Sequence, residues 1–277
     1  MTDLTGQVAL VTGAARGQGR SHALALARAG ARLVLLDIAA DIDTVPYPLG
    51  TAADLRETEA LVQEIGQECL SFVADIRDTA AMTNVVDSAV KTFGRLDICV
   101  ANAGVVGFGK FWELTDEQWT TMIDTNLNGA FKTVRAVVPH MLERNYGRII
   151  IVSSMSGRMG NAHLAHYVAS KWGLIGMAKS LAIEVAGHGI TVNALCPTSV
   201  DTPMLHNPAM YGLFCPDLAH PTRDDVMPRY AAMNKLGRPW LSVEEVSHAV
   251  MYLCDHNAAA VTGQAIEVSL GSASGQH

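Results

Sequence analysis

Tyr167 and Lys171 stand four residues apart in the run His166-Tyr167-Val168-Ala169-Ser170-Lys171, and Ser154 precedes the tyrosine by thirteen residues. On a helix, residues at i and i+4 share a face, with roughly 5–6 Å between their β-carbons. An ammonium held there favours phenolate over phenol, because a nearby opposite charge stabilises the charged form. A phenol with an ordinary pKa of about 10 serves near neutrality only when lowered in this way. Ser154 follows the apolar run Arg148-Ile149-Ile150-Ile151-Val152-Ser153, so it projects from a strand end toward the same helix. The trio is a device for moving a proton onto or off an oxygen.

A second constellation lies near the N-terminus. Gln7-Val8-Ala9-Leu10-Val11-Thr12 reads as a short apolar strand, followed by Gly13-Ala14-Ala15-Arg16-Gly17-Gln18-Gly19 and a helical pattern that stops at Gly30. Strand, glycine turn and helix bring unpaired backbone N–H groups and a positive dipole end to one point, which suits a pyrophosphate. The spacing Gly-x-x-x-Gly-x-Gly departs from the Gly-x-Gly-x-x-Gly fingerprint. The next apolar strand, Ala31 to Leu36, ends in Asp37. A carboxylate there accepts both hydroxyls of an adenosine ribose and repels a 2′-phosphate, which argues for NAD over NADP. Arg16 is the one residue of the loop that would favour the phosphate.

These residues need a scaffold, and the chain supplies one. Strand candidates lie near residues 7–12, 32–37, 69–74, 96–101, 147–153, 190–195 and 264–268, with helix candidates in most of the gaps. That rhythm predicts an α/β fold: a single-domain, Rossmann-type doubly wound parallel sheet of about seven strands with helices on both faces. At 277 residues, 49% hydrophobic and 17% charged, the chain can bury a large core. A net charge of −7 with scattered basic residues gives no footprint for nucleic acid. No signal peptide or membrane-length apolar run is present, and Cys69, Cys99, Cys196, Cys215 and Cys254 are odd in number and widely spaced, which suggests reduced thiols in a cytoplasmic setting. His163 and His166 have no further ligands to make a metal site, so they read as packed or pocket-lining histidines.

From Thr198 to Leu241 the helix-strand rhythm breaks, with six prolines and many apolar side chains, among them Met204, Leu205, Met210, Tyr211, Leu213, Phe214, Met227 and Met233. Such adaptable side chains favour a hydrophobic alcohol or ketone over a charged metabolite. Phe108, Phe111 and Trp112 offer a further wall.

Together these motifs resemble the short-chain dehydrogenase/reductase family over nearly the full length. The pieces that match, in the family's order, are Thr12 to Gly19, Asp75-Ile76, Asn102-Ala103-Gly104, Asn126, Ser154, Tyr167 and Lys171. The resemblance implies that Tyr167 is the general acid/base, that Lys171 holds the nicotinamide ribose and lowers the phenol, and that Ser154 fixes the substrate oxygen. It implies that Asn126 holds a water continuing the proton relay, that Asp75 meets the adenine, and that Asn102, Ala103 and Gly104 line the cofactor. Gly13, Ala15, Arg16, Gly17, Gln18, Gly19, Asp37, Ile38, Ile76, Pro197, Thr198, Val200 and Thr202 complete the cofactor-binding set. The family's usual Pro-Gly after the sixth strand is Pro197-Thr198 here, which alters a turn near the nicotinamide amide.

A closer likeness follows Asp37. The stretch Ile38 to Thr51 delays the helix that Thr51 or Asp54 caps, and with Gly13 to His22 it resembles the mycofactocin-coupled, carveol dehydrogenase-like branch. That likeness implies NAD that does not exchange freely and passes its electrons to mycofactocin. Pro46 and Pro48 stiffen the stretch, and Val45, Tyr47 and Leu49 give it an apolar side, so it can close over the cofactor. The expectation is one NAD-binding domain over 1–277, with a cofactor-side insertion near 38–53 and a substrate lid near 198–241. A homotetramer is implied by the family likeness alone. Two other readings stay open: an ordinary dehydrogenase or ketoreductase with exchanging NAD, and a dinucleotide-binding sensor without catalysis, against which the intact proton relay argues.

Overall fold

The computed structural model describes residues 2–272, so Met1 and 273–277 of the expected domain lie outside the described residues. Seven strands form one sheet: β1 Val8–Thr12, β2 Arg32–Asp37, β3 Cys69–Val73, β4 Ile98–Ala101, β5 Gly147–Val152, β6 Ile190–Pro197 and β7 Ala265–Val268. Their order is β3-β2-β1-β4-β5-β6-β7, and each neighbouring pair is parallel. The helices are α1 Gly17–Arg28, α2 Ala52–Glu64, α3 Thr79–Phe93, α4 Asp116–Ile123, α5 Gly129–Arg144, α6 Ala165–Glu184, α7 Pro208–Phe214, α8 Arg223–Ala232 and α9 Val243–Cys254. The expected strands lie within two residues of the observed ones at every end.

Strand alternation explains the layers. Val8 and Leu10 of β1 point into a core shared with α3, α5 and α6, whereas Ala9 and Val11 point into a second core shared with α1, α2 and α9. Side chains of one strand face opposite ways, so strands apolar at nearly every position need helices on both faces. Chain order runs outward in opposite directions from β1 and β4. The crevice at their C-terminal ends is the topological switch point at which such sheets bind ligands.

A third apolar cluster lies outside the two layers. Val45 and Tyr47 from segment 38–51, Val105 and Val106 after β4, Met122 of α4, and Leu205, Met210, Cys215, Val226 and Tyr230 from segment 198–241 are all buried there. The two irregular segments therefore meet over the switch point.

Candidate active site

A cleft opens at the switch point. Its walls include Gly13, Arg16, Gly17, Gln18, Gly19, Asp37, Ile38, Asp75, Ile76, Asn102, Ala103, Gly104, Tyr167, Lys171 and Thr202. Most of the residues read from the sequence are thus brought together. Ser154 lies beside Tyr167 at the edge of these walls, and Ala15, Asn126, Pro197, Thr198 and Val200 stand behind them.

The dinucleotide end is built by close backbone packing. A β-carbon on Gly19 would sit 2.0 Å from the Gly13 carbonyl oxygen, and one on Gly13 would sit 2.9 Å from Ala103 Cα. Gly13 and Gly17 have φ of +67° and +56°, a region side chains rarely adopt. Arg16 caps α1 without any side-chain bond to its first turn, leaving those N–H groups free for an anion. Asp37 accepts from Ala15 N and Ala39 N, each at 3.0 Å, so its carboxylate is oriented by the glycine loop. Asn102 Nδ2 donates to the Thr12 carbonyl at 2.9 Å, pinning the end of β4 to the end of β1. Asp75 forms an ion pair with Arg77 at 2.7 Å; burial works against its charge, yet the Arg77 bonds bring the carboxyl below its usual range.

The chemical end gathers on α6. Ser154 caps a short turn, Met155–Gly157, just beyond β5, and its Oγ accepts from Ser156 N at 3.1 Å. The Ser154 hydroxyl lies near enough to Tyr167 to favour its phenolate. Lys171 Nζ lies 5.5 Å from the Tyr167 ring centre and donates to the Val152 carbonyl at 3.0 Å. Burial pulls the Lys171 ammonium down to about 8. Burial pushes the Tyr167 phenol above its ordinary value, and the Ser154 hydroxyl partly offsets this.

Asn126 sits in a π-helical turn, Asp124–Asn128, between α4 and α5, a feature common at functional sites. Its Oδ1 accepts from Val105 N at 2.8 Å, and its Nδ2 donates to the Val105 carbonyl at 2.9 Å and to Ser170 Oγ at 3.2 Å. A β-carbon on Gly104 would lie 3.1 Å from Asn126 Oδ1 and 3.5 Å from Lys171 Nζ, so Gly104 lies between the two.

Segment 38–51 spans both ends of the cleft, which it lines with Ile42, Tyr47, Leu49 and Gly50. Arg16 donates to the Pro48 carbonyl, so its guanidinium ties this segment down. The Tyr47 hydroxyl accepts from Val106 N at 3.1 Å, a bond sequence reasoning missed because nothing local marks it. Thr51 caps α2 in a reciprocal box with Asp54.

One expectation is corrected. Phe111 and Trp112 are 69% and 79% exposed, so they do not form a cleft wall. Thr198 N donates to the Val268 carbonyl, and buried Val200 bridges to Leu241, so this turn is fixed to the end of the sheet. Pro197 ends β6 and pairs with Val268, and with Thr198 and Val200 it stays in the proposed cofactor-binding set. His166 lines a separate, smaller cavity with Met122 and Gln118, while His163 is exposed. Among the described residues, no group of three or more His, Cys, Asp or Glu could hold a metal ion, and no helix is long and apolar enough to cross a membrane.

The residues present fit a dinucleotide. The glycine cradle leaves no room for β-carbons, and two buried polar atoms on the cleft residues, Gln18 Oε1 and Thr125 Oγ1, have no protein partner.

Comparison with known proteins agrees with this geometry. A sequence model of the short chain dehydrogenase family matches residues 7–209, and the chain belongs to that family. It is 44% identical over 275 residues to the (-)-trans-carveol dehydrogenase of Rhodococcus erythropolis, covering 98% of this chain and 99% of that one. It superposes on carveol dehydrogenase from Mycobacterium avium in complex with NAD with a TM-score of 0.96 at 42% identity, covering 98% and 99% of the two chains. A short chain dehydrogenase from Mycobacterium paratuberculosis bound to NAD superposes with a TM-score of 0.90 at 34% identity, again covering 98% and 99%.

Proposed function

We propose that the protein oxidises a hydrophobic secondary alcohol of terpenoid, carveol-like type to its ketone, on an NAD that stays bound and is reoxidised by mycofactocin. At the coarser level it is an NAD-dependent oxidoreductase of the short chain dehydrogenase family, acting on CH–OH donors. The observation that carries the finer reading is segment 38–51, which reaches from Asp37 at one end of the cleft to Val106 beside Tyr167 at the other. The apolar substrate class is supported by Ile42, Leu49, Val105 and Met204 on the walls, and by the name of the Rhodococcus relative. A cytoplasmic homotetramer is part of the same proposal.

Bound NAD supplies the hydride acceptor. Tyr167 as phenolate takes the hydroxyl proton, while Ser154 beside it holds the substrate oxygen. Lys171 presents its ammonium to the reacting region from its anchor on the Val152 carbonyl. Asn126, locked to Val105, supports the wall behind Lys171 and keeps the place from which the proton moves outward. Gly13, Gly17, Gly19 and the first turn of α1 would hold the pyrophosphate, and Asp37 the adenosine ribose.

The test is to desalt the purified protein, denature it and assay the supernatant for NAD, alongside oxidation of terpenoid alcohols with an electron-accepting dye. Released NAD near one equivalent, with dye-dependent turnover, is expected. An empty protein that turns over rapidly with added NAD alone would overturn the resident-cofactor reading.

A further inference from the structure

Segment 38–51 is fastened at both ends of the cleft, and the two fastenings differ in kind. Its first residues leave β2 at Asp37, whose carboxylate binds Ala15 N and Ala39 N. Its last glycine, Gly50, returns to the same place, where a β-carbon would lie 2.8 Å from Ala15 Cβ and 3.5 Å from Asp37 Oδ1. Arg16 grips the Pro48 carbonyl nearby. These ties all belong to the glycine-loop end.

Tyr47 alone is hydrogen-bonded across to the other end. It is 6% exposed, and its hydroxyl accepts from the backbone N–H of buried Val106. Val106 follows Val105, whose own N–H and carbonyl are clamped by Asn126. The Tyr47 ring shares the cleft wall with Tyr167, Pro203 and Met204, and it packs with Leu205 and Met210 of the opposite segment.

We propose that Tyr47 is an interlock: it couples retention of the dinucleotide to occupation of the substrate end of the cleft, so that a bound apolar ketone or alcohol slows release of NAD. The proposal rests on the resident-NAD reading and adds a positioning residue and a form of regulation to it. The Tyr47 hydroxyl satisfies Val106 N in the closed state, and without it that N–H would be a buried donor with no partner, which is costly. A ligand packed against Tyr47, Val105 and Met204 contacts a wall that exists only while the segment is down. It therefore binds the closed state better, and that differential affinity is what shifts the equilibrium. Reciprocity requires that bound NAD strengthen binding of the apolar ligand by the same factor. Proton transfer by Tyr167 is outside this coupling.

The experiment follows release of isotopically labelled NAD into excess unlabelled NAD, with and without cyclohexanone, in the wild type, Tyr47→Phe and Arg16→Gln. The wild type is expected to hold its label and to hold it longer with the ketone. Tyr47→Phe is expected to release it roughly 5- to 150-fold faster. In that variant the closed state that the ketone selects is no longer the favoured one, so the ketone effect shrinks to within about twofold. Arg16→Gln breaks a tie at the far end, so it speeds release yet keeps the ketone effect. Limited proteolysis within 38–51 gives an independent readout and is expected to accelerate in Tyr47→Phe. Equal slowing by ketone in the wild type and Tyr47→Phe would mean a simple steric plug and would overturn the interlock. A wild type that holds its label beside a Tyr47→Phe variant that holds it equally well overturns the interlock alone. A wild type that loses its label at once overturns the resident-NAD reading and the interlock with it.

Discussion

Gly104 is where a single methyl group tests the architecture of the site. Its added β-carbon would meet Asn126 Oδ1 at 3.1 Å and Lys171 Nζ at 3.5 Å, so the asparagine must give way by a few tenths of an ångström. Asn126 has little freedom to do so, because its amide is held by both polar groups of the Val105 backbone at 2.8 and 2.9 Å. Overpacking of this kind costs about 1–3 kcal/mol. If the bond from Val105 N breaks instead, the buried unmet donor costs a similar amount, about 1–3 kcal/mol. Gly104→Ala is therefore expected to lower Tm by roughly 2–10 °C. Displacing Asn126 by tenths of an ångström beside the reacting groups should lower kcat by up to about tenfold, short of the roughly 10²-fold that a full 1 Å misplacement can bring. The control is Gly107→Ala in the same loop, whose β-carbon meets only the flexible Met122 Cε at 3.4 Å and His166 Nε2 at 3.5 Å. Thermal melts and single-turnover hydride transfer on both variants give the answer. Equal behaviour of Gly104→Ala, Gly107→Ala and the wild type would refute the packing argument.

Alcohol oxidation should accelerate as pH rises into the alkaline range, because burial holds the Tyr167 phenol above its ordinary value and the phenolate is the active form; a rate flat from pH 7 to 9 would contradict this. His22, fully buried between α1 and α9 and 2.8 Å from Ser247 Oγ, is depressed by burial from 6.5 to about 3. The unfolded chain therefore takes up a proton that the folded chain refuses, and stability falls as pH drops below 6.5, by up to about 1.4 kcal/mol per pH unit. Denaturant titrations at several pH values should show this slope flattened in His22→Gln. Phe111→Ser and Trp112→Ser should leave kcat/KM for a terpenoid alcohol within about twofold, since both side chains are mostly exposed; a larger loss would return them to the substrate wall.

The sheet was legible because its strands are apolar at nearly every position and are separated by helical patterns, so alternation and length alone mark Val8–Thr12 or Ile190–Pro197. The site was legible where local geometry decides it. Tyr167 and Lys171 share a helix face, Ser154 follows a strand, and Asp37 ends one. What escaped depends on distant chain segments. The Tyr47 bond to Val106 joins residues far apart in sequence, and the π-helical turn that presents Asn126 has no compositional signature. Phe111 and Trp112 misled because aromatic character alone does not say which side of a loop faces the cleft. The raised Tyr167 phenol shows the same limit: helical spacing put Lys171 nearby, while burial, a property of the whole fold, determined the direction of the shift.

In the proposed mechanism Tyr167 takes the proton from the alcohol, and the rest of the site holds its partners in place. Single-turnover oxidation of a hydrophobic secondary alcohol by NAD-loaded Tyr167→Phe measures this directly, with NAD content determined on the same sample. A fall of about 10²–10⁴-fold or more in rate, with NAD content unchanged, is the predicted result. A near-normal rate at full NAD content would contradict it.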